Sequence, residues 1–198
     1  MANSNHKDLD DLQVLMGRMG EAYFYNDALP SDIFGSGDSA PTKDIFEESD
    51  FAMPLSKEGV NFEFGAATVN VEKITEGRAW YTFAEDGDEN ITMQVPSLAP
   101  DVNNLFLDKA TTAKVTVKAG GATYSGDGYN TKPKKVKGAW VFTTPEKDIL
   151  VILPKTDNYA NLVGATGDAK SYYNVQVKTF QLAGKGNVLV LPLSAATS

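Results

Sequence analysis

Alternating apolar and polar positions dominate the chain from residue 60 onward, and this period of two predicts β-strands. The segments VNFEF and ATVNVEKI alternate, and RAWYTF and NITMQV continue the pattern after short turns. Further strands are predicted in KVTVK, AWVFTT, DILVILP, SYYNVQVKTFQL and NVLVLPL. The apolar run in DILVILP is typical of a strand that is covered on both faces. The pattern therefore predicts an all-β protein, an antiparallel β-sandwich or barrel-like domain.

One short helix is predicted at 99–107, between two of these strands. Pro100 lies in the first turn, where its missing N–H is tolerated, and Asp101 favours the positive end of the helix dipole. The apolar side chains that share one face of this helix are Val102, Leu105 and Phe106. An amphipathic helix of this length is expected to pack on the flank of the β-domain.

Two other segments are predicted to be loops, and a first strand is predicted at 14–26. Residues 28–58 are rich in Pro, Gly, Ser and Asp, and they predict a long N-terminal arm or loop whose apolar side chains must dock on another surface. The apolar side chains of this arm predict an oligomer interface at Ile33, Phe34, Ile45, Phe46 and Phe51. Residues 119–137 predict a second long loop. Since no internal repeat is found and the length requires no second unit, residues 1–198 are expected to form a single domain.

The composition argues against several classes of enzyme. The chain has no cysteine and one histidine, His6, so a zinc or iron site would have too few ligands. A Ser-His-Asp arrangement would require His6 to fold into a pocket, and the segment GATGDAKS lacks the second glycine of a phosphate-binding loop. We therefore predict no catalytic residues, no metal and no cofactor. A pair of catalytic carboxylates stays open as an alternative.

The start of the chain and its hydropathy bear on localisation. MANSNHKDLDDLQ is polar and acidic, unlike the basic and then apolar stretch of a signal peptide. No apolar stretch approaches the length of a membrane span. We expect neither secretion by that route nor insertion into a membrane.

Acidic residues outnumber basic ones, 26 to 18, and the net charge is −8. A surface that is negative on average repels phosphate backbones, so tight binding to nucleic acid is disfavoured. Two charged clusters stand out, the acidic Glu85, Asp86, Asp88 and Glu89 and the basic Lys132, Lys134, Lys135 and Lys137. The acidic cluster lacks the spacing of a calcium-binding EF-hand and favours a hairpin turn. The basic run favours a solvated loop, with a contact to nucleic acid or to an acidic neighbouring subunit as the functional alternative.

Several segments resemble the major tail proteins of long-tailed bacteriophages. GEAYFYNDALPSD, followed by an acidic spacer and LSKEGVNFEFGAATVNVEKI, is similar to the opening of that family. In that family, a strand leads to an arm with an ALP-(S/T)-D motif, and an S-x-(D/E)-G-V motif precedes a hairpin. ITMQVPSLAPDVNNLFLDK resembles the strand and short helix of the family, and EKDILVILPKTD and YYNVQVKTFQLAGKG resemble its late strands. The resemblance covers most of the chain.

The resemblance implies a structural virion protein whose copies form stacked, hexameric rings, the hollow tail tube through which DNA passes. It also implies synthesis in the host cytoplasm, a final place in the phage tail, and tape-measure and tail-terminator or tip proteins as partners. An acidic lumen would let DNA slide without binding, and the candidate lumen residues are Glu85, Asp86, Asp88 and Glu89. The basic run around Lys134 departs from this expectation.

Other functions stay open beside that one. The chain is also compatible with another virion protein, such as a capsid decoration protein. A carbohydrate-binding sandwich is a further alternative, because exposed aromatic side chains stack on sugars. The candidates for such stacking are Tyr124, Tyr129, Tyr172 and Tyr173.

Overall fold

The computed structural model describes residues 19–35, 40–56, 59–65, 68–73, 79–85, 89–110, 113–130, 132–164 and 170–193. Within these ranges the chain is mostly antiparallel β-sheet, with one short α-helix, in a sandwich-like arrangement. The predicted all-β fold class is confirmed.

The elements follow one another along the chain in a simple order. The strands are β1 (Glu21–Tyr25), β2 (Phe51–Pro54), β3 (Val60–Glu63), β4 (Thr68–Lys73), β5 (Ala79–Glu85), β6 (Asn90–Val95), β7 (Asp108–Lys109), β8 (Val115–Ala119), β9 (Ala122–Gly126), β10 (Tyr129–Asn130), β11 (Lys135–Thr143), β12 (Ile149–Val163), β13 (Tyr172–Thr179) and β14 (Leu189–Pro192). A 3-10 turn (Ser31–Ile33) follows β1. The helix α1 (Pro100–Phe106) lies between β6 and β7, as predicted from its apolar face.

One eight-stranded antiparallel sheet carries most of the fold. Its order is β2-β1-β11-β12-β13-β6-β3, and β14 pairs with the first residues of β12. The long strand β12 has β14 and then β13 as successive neighbours, while β11 pairs along it. The ring of Phe62 in β3 lies edge-on to that of Phe142 in β11, with 5.2 Å between the ring centroids. These strands are far apart in the strand order, so the contact shows that the sheet curls. The apolar face of the sheet is thereby enclosed.

The strands β11 and β12 are covered on both faces. Trp140, Phe142 and Leu153 are fully buried in the main core, together with Phe24 of β1. Val141 and Ile152 point the other way, into a second cluster that includes Leu29 of the arm. The expectation that DILVILP is covered on both faces is confirmed, and the arm is what covers the second face.

A glycine and a set of buried polar groups shape the middle of β11. The pairing of β11 with β12 shifts between Gly138 and Trp140, and a Cβ at Gly138 would lie 2.3 Å from the ring of Phe24. Next to this bulge, Trp140 Nε1 donates a hydrogen bond of 2.8 Å to Asn158 Oδ1, and Thr156 Oγ1 donates one of 3.0 Å to the carbonyl of Gly138. These buried polar groups therefore have partners, as a stable core requires.

The prediction of a long loop at 119–137 is wrong. Strand β9, strand β10 and the start of β11 lie in it, and β8 and β9 form a hairpin. Gly120 and Gly121 have φ values of 58° and 84°, the conformation of a tight two-residue hairpin turn. Glycine adopts that conformation without strain, so the glycine pair marks a turn between strands.

The predicted N-terminal elements differ from the structure in their bounds. The strand predicted at 14–26 is observed as β1, and residues 14–18 lie outside the described ranges. The predicted arm or loop at 28–58 contains strand β2, which pairs with β1 at the sheet edge. The extended run Phe51–Pro54 is therefore part of the sheet, since the main chain of β1 offers it ladder partners.

Candidate functional site

Glu89 belongs to the predicted lumen cluster, and its carboxylate is engaged within the subunit. The side chain is 13% exposed and lies 3.4 Å from Lys178 Nζ. Its two oxygens accept hydrogen bonds from Thr179 N at 2.7 Å and Thr179 Oγ1 at 2.6 Å. Burial by itself raises the pKa of Glu89, but the Thr179 hydrogen bonds and the charge of Lys178 outweigh it, and the pKa is lowered. Glu89 ties the start of β6 to the end of β13.

The rest of that cluster is placed only in part. Glu85 is the last residue of β5, in the two-stranded sheet that β4 and β5 form apart from the main sheet. Asp86 and Asp88 lie outside the described residues, as does His6. The lumen assignment stays a prediction for all four acidic residues.

The five predicted interface residues are covered by their own chain. Ile33 is buried, and Phe34, Ile45 and Phe46 are half-buried against the second cluster on β11 and β12. Phe51 packs against the main core, with its ring 6.4 Å from that of Phe24. The arm residues pack on the second face of β11 and β12 because that face is itself apolar. Since these side chains are covered within the subunit, they no longer argue for an interface between subunits, and the interface at these positions stays a prediction.

Polar contacts also hold the arm in place. The hydroxyl of Tyr25 donates to the carbonyl of Ile45, and burial, followed by the nearby carboxylates, raises the pKa of Tyr25 to about 12. Lys43 Nζ lies 3.1 Å from both Asp32 and Glu48. The main-chain amide of Leu29 donates a 2.9 Å hydrogen bond to the carbonyl of Pro154. The arm is thus joined to the sheet at several points along its length.

The predicted basic run divides into structural and exposed lysines. Lys134 Nζ donates a 2.7 Å hydrogen bond to the carbonyl of Asn104, near the C-terminal end of α1, where a positive charge is favoured. Lys135 forms an ion pair with Asp157 on the neighbouring strand. Lys132 and Lys137 are exposed. The run therefore lies partly in a strand and is less free than a solvated loop.

The four tyrosines do not form one exposed aromatic cluster. Tyr173 is fully buried, and its hydroxyl donates a 2.6 Å hydrogen bond to Asn103 Oδ1. Burial raises the pKa of Tyr173. Tyr124 is exposed, whereas Tyr129 and Tyr172 are half-buried. The expectation of exposure is wrong for Tyr173, because α1 packs over it and Phe106 lies 5.3 Å from its ring.

The hairpin of β8 and β9 is a surface that the sequence patterns did not single out. Val117 faces Tyr124 across the ladder, and Val115 precedes them on the same face. The exposed fractions of Val115, Val117 and Tyr124 are 51%, 56% and 57%. We call these three residues the hairpin apolar face. The opposite face is polar, with Thr116 Oγ1 hydrogen-bonded to Ser125 Oγ at 3.2 Å.

This hairpin is amphipathic and yet uncovered. Every residue of β8 and β9 is exposed, and within the described part of the chain the hairpin belongs to no larger sheet. Two-stranded hairpins are marginally stable on their own, and apolar faces are normally packed against another element. The alternation in KVTVK together with the glycine pair was the signal available in the sequence.

A second exposed apolar surface lies at the C-terminal edge strand β14. Val190, Leu191 and Leu193 are 48%, 44% and 72% exposed. Leu191 is directly opposite Leu150 of β12, and Leu193 N donates a 2.6 Å hydrogen bond to the carbonyl of Asp148. Main-chain bonds hold this edge to the sheet; Leu189 packs against the second cluster, while Val190, Leu191 and Leu193 are exposed.

The described residues assemble no evident catalytic constellation. A groove of roughly 680 Å³ beside α1 is open, and its charged lining includes Asp50, Asp101, Lys135 and Lys137. In the described ranges, no three metal-ligating side chains come together. The same ranges contain no helix with the length and apolar character to cross a membrane. What the described surface offers is exposed apolar side chains and exposed charge.

No family model, no curated protein and no solved structure matches this chain.

Proposed function

We propose that this protein is a structural virion subunit that assembles with copies of itself into stacked, hexameric rings, forming the tail tube of a long-tailed phage. The observation that carries the self-assembly is the hairpin apolar face, Val115, Val117 and Tyr124, which is exposed in the subunit. An amphipathic hairpin with an open apolar face gains stability when another surface covers it. Assembly provides that cover.

The tail-tube part of the proposal is supported by the resemblance described above. That resemblance implies a β-sandwich subunit with a flanking helix, and the fold agrees with it. Agreement of fold does not by itself identify function, since one architecture serves many functions. The hairpin supports assembly independently of this resemblance, because the exposure of its apolar side chains is a property of the structure itself.

The remaining parts of the proposal follow from charge and from the tube. The protein acts without catalysis and without a cofactor, as one domain in the phage tail. Its net charge of −8 keeps contact with passing DNA weak and transient. The partners are further copies of the chain, the tape-measure protein and the tail-terminator or tip proteins.

Electron microscopy and sedimentation of the purified protein over a concentration series test this proposal. We expect rings and hollow tubes that become more abundant as the concentration rises, because association follows mass action. A protein that stays monomeric at every concentration, in low and high salt, would contradict the proposed function.

A further inference from the structure

The apolar second face of the main sheet extends beyond the arm that covers it. On this face, Leu150 of β12 and Leu189 of β14 are half-buried against the second cluster. Leu191 is directly opposite Leu150, and directly opposite residues of an antiparallel pair share a face. Alternation along β14 places Leu193 on that face as well. Since Leu191 and Leu193 are exposed, the arm leaves the end of this face uncovered.

The first described residues lie near these leucines. Gly20 N donates a 2.9 Å hydrogen bond to the carbonyl of Thr143, the last residue of β11. A Cβ at Gly20 would lie 2.8 Å from the side chain of Pro145, in the connection between β11 and β12. Leu193 N donates its hydrogen bond to the carbonyl of Asp148 in that same connection. The residues before Gly20 therefore enter the sheet at the end where the exposed leucines lie.

The strand register gives the distance between the two places. One row of directly opposite residues crosses the sheet from β1 to β14, namely Glu21, Thr143, Leu150 and Leu191. Adjacent strands lie about 4.8 Å apart, so three steps along this row place Glu21 roughly 15 Å from Leu191. Six residues of extended chain reach about 20 Å, so Leu15 can contact Leu191 without any change in the sheet.

The sequence of residues 1–18 supplies apolar side chains for this surface. Leu9, Leu12 and Leu15 are three positions apart, and two aspartates separate the first pair. A segment with spaced leucines gains stability when another apolar surface covers them. Residues 194–198, SAATS, follow Leu193 directly and carry no large apolar side chain. Of these two segments, which both lie outside the described ranges and adjoin this end of the sheet, residues 1–18 are the one that can cover the leucines.

We propose that residues 9–15 dock on Leu191 and Leu193 of the same molecule and complete the cover of the second face. The occupant is the chain's own segment because its attachment lies roughly 15 Å away, and a short tether gives an effective concentration of about millimolar. A second copy reaches that value only at millimolar protein. The docking occurs within one molecule and does not depend on the proposed self-assembly. It makes these leucines unavailable for contacts between copies.

Labelling of an engineered cysteine tests the docking, because the chain has no cysteine of its own. The full-length variant L191C is reacted with an uncharged maleimide, and its rate is compared with that of L191C in a chain that also carries L9D and L12D. The two aspartates remove the apolar contact and keep the length of the segment. We expect the thiol at position 191 to react several-fold more slowly when Leu9 and Leu12 are present, because the docked segment covers it.

The matched control is V190C, on the other face of the same strand. Val190 is 48% exposed, against 44% for Leu191, and it is directly opposite Val151, which packs in the main core. The thiol at position 190 should react equally fast with and without L9D and L12D. If the aspartates unfold the chain, labelling at position 190 accelerates as well. The pair L9S and L12S, which removes the apolar side chains without adding charge, then takes their place.

A dilution series identifies the occupant. Protection of position 191 by the chain's own segment is independent of protein concentration, whereas protection by a second copy follows mass action and is lost on dilution. Slow labelling that persists at every concentration and requires Leu9 and Leu12 supports the docking. Equal labelling rates at position 191 with and without these leucines would overturn it. Protection that disappears on dilution would also overturn it, since a second copy would then be the occupant.

Discussion

The arm at 28–58 and the hairpin of β8 and β9 both carry apolar side chains among turn-forming residues, and they are covered very differently. Ile33 and Leu29 of the arm are 6% and 3% exposed, because the arm lies on the apolar second face of β11 and β12. Val117 of the hairpin is 56% exposed. Where the sheet supplies an apolar face, a segment with few regular elements is held within the subunit. Where the sheet supplies no apolar face, the side chains of even a regular hairpin stay exposed.

Under the proposed self-assembly, this difference separates the residues that stabilise the fold from those that form contacts between copies. The apolar residues of the arm stabilise the subunit, and those of the hairpin are available for contacts between subunits. Substitutions in the arm should therefore change the free energy of unfolding, whereas conservative substitutions on the hairpin should change association. The following variants test that division, from the largest expected effect on subunit stability to the smallest.

The largest effect is expected from Leu29→Ala. Leu29 is buried in the second cluster, and removing a buried leucine side chain leaves a cavity that costs about 2–4 kcal/mol. Urea denaturation of the subunit should show this loss, and Leu29→Met, which nearly conserves volume, is the control. An unfolding free energy unchanged by Leu29→Ala would show that the arm is not docked in solution.

Phe46→Ala should have a smaller effect. The ring is half-buried, lies 4.8 Å from that of Tyr23, and has Lys147 over it. Losing these contacts should lower the free energy of unfolding by about 1–2 kcal/mol. Denaturation measurements on Phe46→Ala and Phe46→Leu would show how much the ring contributes. Equal stability of the wild type and both variants would contradict the packing of the arm on β1.

Glu89→Gln tests a polar contact of the sheet and its dependence on pH. The glutamine keeps an oxygen that can accept from Thr179 and removes only the charge, so the variant should be less stable than wild type near neutral pH by about 1 kcal/mol or less. The pKa of Glu89 is lowered in the folded state, so its contribution is present above the unfolded pKa and is lost as pH falls through the folded pKa. Stability curves of the two proteins should converge in acid. A gap that stays constant with pH would contradict the ionised Glu89 contact with Thr179.

The smallest effect on stability is expected from Val117→Thr. The substitution keeps the shape and the β-branch of the side chain, and the site is exposed, so the free energy of unfolding should change by less than about 0.5 kcal/mol. The concentration at which the protein assembles should rise, because the apolar contact between copies is weakened. Val117→Ile is the matched control and should preserve assembly. If Val117→Thr unfolds the subunit, the hairpin is covered within one chain.

Much of the sheet could be predicted from local patterns. Alternation in NITMQV matches the inward Ile91, Met93 and Val95 of β6, and the apolar run of β12 matches a strand covered on both faces. The helix followed from Pro100 and its apolar face. These features depend on residues close in sequence, so their physical causes are visible in the chain itself.

The covering of each segment could not be predicted in the same way. Whether Phe46 needs a partner depends on Val141 and Ile152, about a hundred residues later, and on the turn of the sheet that exposes their face. Glu89 belongs to a charged cluster in sequence, and its partner Thr179 is 90 residues away. The KVTVK strand has the pattern of a half-buried strand, and its pattern does not say whether the same chain or another one covers it.

Hydrogen exchange of the subunit and of the assembled protein tests the central difference most directly. The amides of Leu29 and Asp50, bonded to the carbonyls of Pro154 and Phe24, should be protected in both states. Amides of β8 and β9 should exchange rapidly in the subunit and become protected on assembly. Hairpin amides that are equally protected in the isolated subunit, or that stay unprotected in assembled protein, would contradict a hairpin that is covered by a second copy.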